Sequence, residues 1–327
     1  MLSLAACDPR EKAAITHAAW RRLGSPEGAE GAGSSAAPEG PPDPPPFPGR
    51  PAAPKLVPPR DIPTAKRSPL PLAVYMLHNL THVELNAIDL AWDTVARFAR
   101  RGLPRQFALD FAKVADDESR HLLWCLQRLQ ELGHGYGCMP AHNLLWEGAQ
   151  ISKGSLGARL AVVPMSQEAR GLDAGPRLAA RLVGLGDRRS AAIVAQIARE
   201  ESAHVAVGVA WFRALCHAEE RDPGARYREL MRALCPELLR PPFEARARAD
   251  VGLPGDWYDP ELWSDASGEQ AATAVASPEL AAGMSSFGGS DSVATISAGD
   301  HSQPPFQPLA ERMIAFLSHE LSPNDAC

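Results

Sequence analysis

The chain of 327 residues is long enough for one large domain or two small ones, and its hydrophobic fraction of 45% allows a packed core. Its formal net charge of -6 argues against a dedicated nucleic-acid-binding surface, because such surfaces are usually basic. No apolar run approaches the length of about 18 residues that a membrane-spanning helix needs. The six cysteines are scattered and form no C-x-x-C pair, which indicates reduced thiols in a cytoplasmic protein rather than a disulfide framework or a zinc cluster.

The first predicted element is a short helix at residues 9–23. Asp8 precedes it and is a good N-cap, because its side chain can accept hydrogen bonds from the first free backbone N–H groups. Pro9 suits the first helical position, where no backbone donor is needed. The glycine and proline of the G-S-P run at residues 24–26 end the helical pattern.

A segment rich in proline, glycine, alanine and serine follows at residues 24–71. Its first part is typical of a flexible linker. Residues 48–63 differ, because their closely spaced prolines favour an extended backbone. In this stretch Leu56, Val57 and Ile62 offer apolar side chains for burial. We expect an extended arm on the surface of a domain, with plain disorder as the alternative.

The pattern after residue 72 is helical. It predicts, in order, a helix at 72–101, one from Pro104 to Gly133, one at 154–172 with a kink at Pro164, a break at 171–176, a short helix to residue 185 and a long helix from Asp187 to residue 217. Shorter helices and turns are expected at 223–264, disorder at 265–304 and one further helix at 307–320. No stretch alternates with period two, so we expect no sheet.

These patterns predict an all-α protein: a four-helix bundle with extra short helices and a Pro-rich arm. The predicted organisation has four parts, namely an N-terminal helix (1–23), a Pro/Gly-rich linker and extended arm (24–71), a helical bundle with a C-terminal extension (72–264) and a largely disordered tail (265–327).

The motif E-x-x-H occurs three times, where chance gives about one match in a chain with ten histidines. The three pairs are Glu118/His121, Glu201/His204 and Glu131/His134. The first two pairs lie within apolar stripes of their helices, so both are expected to face the core. The third pair lies at a helix end, where the histidine follows a glycine, and we assign it to solvent.

Two more glutamates on apolar stripes complete a candidate dimetal site. Glu84 lies on the first long helix, 34 residues before Glu118, and Glu168 lies 33 residues before Glu201. A gap of this size lets the chain leave a helix centre, turn and return to a similar height on an antiparallel neighbour. The chain then consists of two helical hairpins, and each contributes one glutamate and one E-x-x-H pair.

Charge favours two metal ions in such a site. Four buried carboxylates without countercharge would cost many kcal/mol or stay protonated, whereas two divalent cations neutralise them. Carboxylate and imidazole ligands suit iron or manganese. The alternative is that these residues form a polar core network or a surface.

Several segments resemble one known family. They are H-V-E-L-N-A-I-D-L-A-W-D, V-A-D-D-E-S-R-H, L-A-V-V-P-M-S-Q-E-A-R-G-L-D, E-E-S-A-H-V-A-V-G-V-A-W-F, the arm P-G-R-P-A-A-P-K-L-V-P-P-R-D-I-P and P-P-F-E-A-R-A-R. The chain resembles the ferritin-like family called domain of unknown function 455, apart from its insert at 24–46 and its tail. The resemblance implies a ferritin-like four-helix bundle and no particular reaction. It implies metal ligands at Glu84, Glu118, His121, Glu168, Glu201 and His204.

We therefore expect a dimetal-carboxylate protein with two iron or manganese ions, acting as an oxygen-activating oxidoreductase on an unknown small-molecule or tethered substrate. The alternatives are an iron-handling, ferroxidase-like protein and a non-enzymatic helical interaction protein. A homodimer is compatible with each of them. Three aspartates are candidate hydrogen-bond partners for the site histidines, namely Asp89, Asp117 and Asp173.

Other residues carry weaker signals. Arginines cluster near one predicted bundle end and a corresponding turn, which fits either solvated helix ends or contact with RNA; they are Arg97, Arg100, Arg101, Arg105, Arg188 and Arg189. Tryptophans at helical spacing favour core packing over a redox chain; they are Trp92, Trp124 and Trp211. His78 and His82 lie one turn apart and fit an ordinary helix-face pair better than a second layer around the metals.

Overall fold

A computed structural model describes residues 2–25, 44–99 and 103–263. Within these ranges the chain is helical, with no strand and one isolated bridge between Leu56 and Ala141. The predicted all-α class is confirmed. The helix expected at 307–320 lies outside the described residues, and the division of the chain into four parts stays a prediction.

The helices are numbered in chain order. They are α1 (Leu2–Ala5), α2 (Pro9–Gly24), α3 (Leu72–Phe98), α4 (Arg105–Glu131), α5 (Leu144–Ile151), α6 (Leu156–Val162), α7 (Ala169–Gly184), α8 (Arg188–Ala218), α9 (Pro223–Leu234), α10 (Ala245–Asp250) and α11 (Gly255–Tyr258). A π-helical segment, Val163–Glu168, joins α6 to α7 and is called the π-turn below. Short 3-10 turns lie at Pro59–Asp61, Pro236–Leu239 and Pro260–Leu262.

Two antiparallel helix pairs form the body of the domain. Helix α3 packs along α4, α7 packs along α8, and the pairs meet where α4 contacts α8. Both α3 and α4 have 27 residues, which gives each a length of about 40 Å. Helix α6, the π-turn and α7 together supply the fourth long element of this arrangement.

Apolar clusters fill the two ends of the bundle. One cluster includes Phe107 and Phe111 from the start of α4 together with Val209 from the later part of α8. The other includes Leu129 from the end of α4 and Val194 from the start of α8. The polar residues of the first two E-x-x-H pairs lie in the middle of the bundle, between the two clusters.

The N-terminal helix packs on the bundle through a buried ion pair. Asp8 caps α2 as predicted and accepts hydrogen bonds from the backbone N–H groups of Arg10 and Glu11, both at 2.9 Å. From the buried face of α2, Lys12 Nζ lies 2.6 Å from Oδ1 of Asp89 on α3. Burial lowers the pKa of Lys12 although the Asp89 carboxylate opposes the shift.

The segment after the linker is attached to the same aspartate. Arg50 Nη1 lies 2.9 Å from Asp89 Oδ2, and Arg50 Nη2 donates to Asn86 Oδ1 at 2.6 Å. The Gly49 N–H donates to the Leu4 carbonyl at 2.6 Å, a contact so close that a Cβ at Gly49 would overlap the α1 backbone. Leu56, expected to be buried, is 42% exposed. Charge pairing and backbone contacts therefore hold this segment more than the apolar side chains do.

The predicted break at residues 171–176 is wrong. Helix α7 runs through it, with Pro176 inside the helix. A Cβ at Gly175 would lie 2.6 Å from Ala198 Cβ, and one at Gly171 would lie 3.3 Å from Glu201 Cγ. These glycines let α7 and α8 approach closely and do not end a helix. The predicted kink at Pro164 is present as the π-turn.

Candidate metal centre

The six predicted ligands come from four helical segments. Helix α3 carries Glu84, α4 carries Glu118 and His121, the π-turn ends at Glu168, and α8 carries Glu201 and His204. All except Glu168 are at most 7% exposed. Glu168 is half-buried, but its Oε2 atom is enclosed. Ion-pair distances join five of these side chains to one another, and Glu168 lies close enough for the charges of Glu118 and Glu201 to act on it. The six residues are called the site below.

Four of these residues form a tight group. One ligand atom each from Glu84, Glu118, His121 and Glu201 lies within 4.8 Å of the others. His121 Nδ1 lies 3.3 Å from Glu84 Oε2 and 3.3 Å from Glu118 Oε2. It lies 3.7 Å from Glu201 Oε1. This group could hold a metal ion.

The second histidine extends the group. His204 Nδ1 lies 2.9 Å from Glu118 Oε1 and 3.5 Å from Glu201 Oε2. Glu118 thus offers one oxygen to each histidine, so its carboxylate lies between two halves of the site. Such a position suits a carboxylate that bridges two ions.

A second layer of carboxylates holds the outer nitrogens of the histidines. Glu200 Oε2 lies 3.0 Å from His121 Nε2, and Asp117 Oδ2 lies 3.5 Å from His204 Nε2. Asp117 and Glu200 are called the outer carboxylates below. Arg120 pairs with both of them and so connects α4 to α8.

Of the three aspartates proposed as histidine partners, Asp117 alone takes that place among the described residues. Asp89 binds the N-terminal segments, and Asp173 forms a buried pair with Arg248 at 2.6 Å. Glu200 was not predicted. Its signal in the sequence is a repeated acidic doublet, D-E at 117–118 and E-E at 200–201. The first residue of each doublet lies against the histidine of the other E-x-x-H pair.

Unpaired buried atoms test whether the site fits metal ions. Within the described ranges, Glu168 Oε2 is buried and makes no hydrogen bond, whereas the buried Glu84 Oε2 and Glu118 Oε1 face histidine nitrogens at 3.3 and 2.9 Å. Buried polar atoms without partners cost about 1–3 kcal/mol each, and more when charged, so they are rare in folded proteins. These oxygen and nitrogen atoms are ligands for divalent iron or manganese, and the donor set fits such ions.

Three of the four carboxyl groups of the site resist ionisation in the metal-free protein. Burial and the neighbouring Glu118 charge raise the pKa of Glu84 well above its usual value. The same two causes raise the pKa of Glu168 to about 8 and raise the pKa of Glu201. Burial also acts against ionisation of Glu118, but the charges and hydrogen bonds of His204 and His121 outweigh it and lower the pKa of this carboxyl.

The site histidines are held in the protonated form. Burial opposes their charge, but Glu118 and Glu84 outweigh it and raise the pKa of His121 to about 11. At His204, Glu118 and Glu201 likewise outweigh burial and raise the pKa well above its usual value. Without metal, protons supply the positive charge that the four glutamates require.

Comparison with known proteins agrees with the resemblance. A family described as "Protein of unknown function (DUF455)" matches residues 5–259. The chain belongs to this family. An "Uncharacterized protein" of Haemophilus influenzae (strain ATCC 51907 / DSM 11121 / KW20 / Rd) is 33% identical over 208 residues, which is 62% of this chain and 72% of the relative. No solved structure is a significant match.

All six residues of the site lie within the part of the chain that matches DUF455. The third E-x-x-H pair of this DUF455 protein lies apart from the site. Glu131 is exposed and pairs with Arg128 and Arg189 at the end of α4.

Among the described helices, none is both long and apolar enough to span a membrane.

The two helix-face histidines, His78 and His82, are buried and bonded to the connection between α4 and α5. His78 Nε2 accepts a hydrogen bond from the Gly137 N–H at 2.9 Å. His82 Nδ1 lies 2.7 Å from the Tyr136 hydroxyl. Both residues fasten the connection between α4 and α5 to α3, and burial lowers the pKa of each to about 4.

The predicted arginine cluster is divided. Arg97 pairs with Asp93 near the end of α3, whereas Arg189 pairs with Glu131 at the far end of α4 from Arg105. Arg100 and Arg101 lie outside the described residues. The expected grouping with Arg188 and Arg189 at a corresponding turn is therefore wrong.

The tryptophans differ from one another. Trp92 and Trp211 are buried and hydrogen-bonded to Thr16 and Asp110, as expected for packing residues. Trp124 is half-buried, and its ring centroid lies 5.5 Å from that of His121.

Proposed function

We propose that this DUF455 protein is a ferritin-like dimetal-carboxylate oxidoreductase that binds two iron or manganese ions and, with iron, activates oxygen. The observation that carries the proposal is the convergence of three glutamates and two histidines from α3, α4 and α8, with Glu168 of the π-turn close enough for the Glu118 charge to act on it. One glutamate from each of two segments plus an E-x-x-H pair from each of two others is the ligand arrangement of ferritin-like dimetal proteins.

Charge supports two ions rather than one. Four ionised glutamates carry four negative charges, and two divalent cations cancel them in a buried environment. A purely structural polar core would instead satisfy its buried oxygens with donors. Among the described residues, the enclosed Glu168 Oε2 has no such donor.

The chain's own residues prepare the site in two ways. Glu200 lies within hydrogen-bond distance of His121 Nε2, and Asp117 Oδ2 lies 3.5 Å from His204 Nε2, so each histidine presents its Nδ1 to the glutamates. Buried apolar side chains on the same segments, such as Met165, Val205 and Leu122, keep bulk water away. When bound, a pair of iron ions supplies redox chemistry toward dioxygen.

Oxygen uptake tests the proposal. Protein loaded anaerobically with ferrous iron is mixed with oxygenated buffer, and oxygen consumption is followed for the wild type, Glu118→Ala and Glu131→Ala. We expect the wild type and Glu131→Ala to consume oxygen alike, because Glu131 lies outside the site, and Glu118→Ala to lose this consumption. Equal uptake in the wild type and Glu118→Ala would refute the proposed function. A large hollow assembly in sedimentation would favour iron storage instead.

A further inference from the structure

A surface groove of about 370 Å³ lies between α4 and α8, next to the site. Its volume is within the range of small-molecule binding sites. Its lining includes Trp124, Arg128, Glu131, Arg189, Ile193 and Gln196.

The groove offers an aromatic and aliphatic surface beside a charged end that holds an exposed arginine. Trp124 and Ile193 are half-buried there. Arg128 pairs with Glu131 and with Asp187, which lies outside the groove lining, whereas Arg189, whose side chain is 62% exposed, pairs with Glu131. Exposed ion pairs are weak, so a phosphate can replace Glu131 as the partner of Arg189. A planar ring with an anionic group fits this combination.

The groove is connected to the outer side of His121. Gln196 Nε2 donates to Glu200 Oε1 at 2.6 Å, and Glu200 Oε2 lies 3.0 Å from His121 Nε2. The Trp124 ring lies beside the His121 ring. Because Nδ1 of His121 faces the glutamates, its imidazole separates the groove from the interior of the site. A molecule in the groove therefore cannot place a reacting atom among the carboxylates, but an electron can cross two adjacent rings.

We propose that the groove binds a reduced flavin nucleotide and that Trp124 and His121 conduct its electrons to the metal centre; this inference rests on the proposed function. The recognised chemistry, a planar redox heterocycle carrying phosphate, is shared with nicotinamide nucleotides. Flavins transfer single electrons, as conduction through rings requires, whereas nicotinamides transfer hydride. The reduced flavin gives up two electrons and releases two protons to solvent. Each of two trivalent ions takes up one of these electrons and becomes divalent.

Binding is tested on metal-free protein, so that the result does not depend on the metal centre. Flavin mononucleotide is titrated and its fluorescence is followed for the wild type, Arg189→Glu, Trp124→Leu and the control Arg221→Glu, which alters an exposed arginine beyond the far end of α8. We expect saturable binding, weakened at least tenfold in the first two variants and unchanged in the control. Riboflavin, which lacks phosphate, should bind more weakly than the nucleotide.

The proposal is overturned if flavin mononucleotide does not bind saturably, or if Arg189→Glu and Trp124→Leu both bind it as the wild type does. Tighter binding of NADH than of the flavin would overturn the flavin assignment.

Electron transfer is tested on protein loaded with ferric iron. Reduced flavin mononucleotide is mixed in without oxygen, and the rate of flavin oxidation is followed. We expect Trp124→Leu to slow oxidation at least tenfold with unchanged metal content. If the protein binds both the metal and the reduced flavin but the flavin is not oxidised, the electron route is overturned and the proposal of metal binding stands. If the protein binds no metal, the proposed function and the electron route both fail, while the metal-free titration still decides whether the groove is a flavin site.

Discussion

Metal uptake by the site should expel protons, and their number follows from the groups that hold them. Without metal, His121 has a pKa of about 11, His204 has a strongly raised pKa, and the carboxyls of Glu84 and Glu168 have raised pKa values, about 8 at Glu168. Raised pKa values keep protons on these groups, which must lose them to become ligands, so binding two ions should release up to about four protons per chain. Charge balance gives the same number, because two divalent ions bring four positive charges into a buried site.

The sign of the pH dependence follows from this release. Metal affinity should rise with pH, and lowering the pH from 7 to 6 should weaken the overall binding of two ions by up to about 10⁴-fold, tenfold for each displaced proton. Burial and the Glu118 charge raise the pKa of Glu168 to about 8, so the Glu168→Gln variant should release about one proton fewer.

The measurement is a calorimetric titration of manganese(II) into metal-free protein, in two buffers with different heats of ionisation. The difference between the heats gives the number of protons released. Glu131→Gln, which changes the glutamate of the exposed E-x-x-H pair, is the control and should release as many protons as the wild type. Two bound ions with fewer than about one proton released, or equal affinity at pH 6 and pH 7, would refute the reasoning.

Three further predictions follow from the contacts. Glu200→Gln and Asp117→Asn should each weaken metal binding about 10–100-fold in competition with a chelator, because each removes the anionic partner of one histidine. Unchanged metal affinity in both variants would contradict the role of the outer carboxylates. Gly175→Leu should lower the free energy of unfolding in urea by about 1–3 kcal/mol, because the new Cβ overlaps α8. The control Gly184→Ala, with no described atom within 4 Å of the new Cβ, should change this free energy by less than about 0.5 kcal/mol. Equal effects of the two variants would show that α7 and α8 can move apart. Burial lowers the pKa of His82 to about 4, so its imidazole NMR signals should titrate near that pH. The free energy of unfolding should fall as the pH is lowered from 6.5 toward 4, because the unfolded chain binds the proton first. A titration midpoint near 6.5 would rule out the burial of His82.

Local signals in the sequence were sufficient for the long helices. Asp8 and Asp187 each accept the backbone hydrogen bonds expected of an N-cap, and the apolar stripes of α3, α4 and α8 predict the faces that are buried. The same stripes identify the side chains that meet in the middle of the bundle, because a carboxylate or imidazole on an apolar helix face is buried together with that face.

Features that depend on a distant partner could not be predicted from local pattern. A glycine that ends a helix and one that allows close packing look alike in sequence, and only the contact of Gly175 with Ala198 distinguishes them. The binding of Arg50 to Asp89 likewise joins residues far apart in the chain. The helix α5 was missed, because its eight residues are too few to show a period. Glu200 has a signal in the sequence, the repeated acidic doublet, but the E-x-x-H spacing alone does not indicate it.

The central claim is that the six residues of the site hold two metal ions. The most direct test is the metal content of tag-free protein by elemental mass spectrometry after anaerobic reconstitution, compared with the Glu118→Ala/Glu201→Ala double variant and with Glu131→Ala as control. Our account predicts about two iron or manganese ions per chain in the wild type and the control, and their loss in the double variant. A reconstituted wild type without metal, or a double variant that keeps both ions, would contradict it.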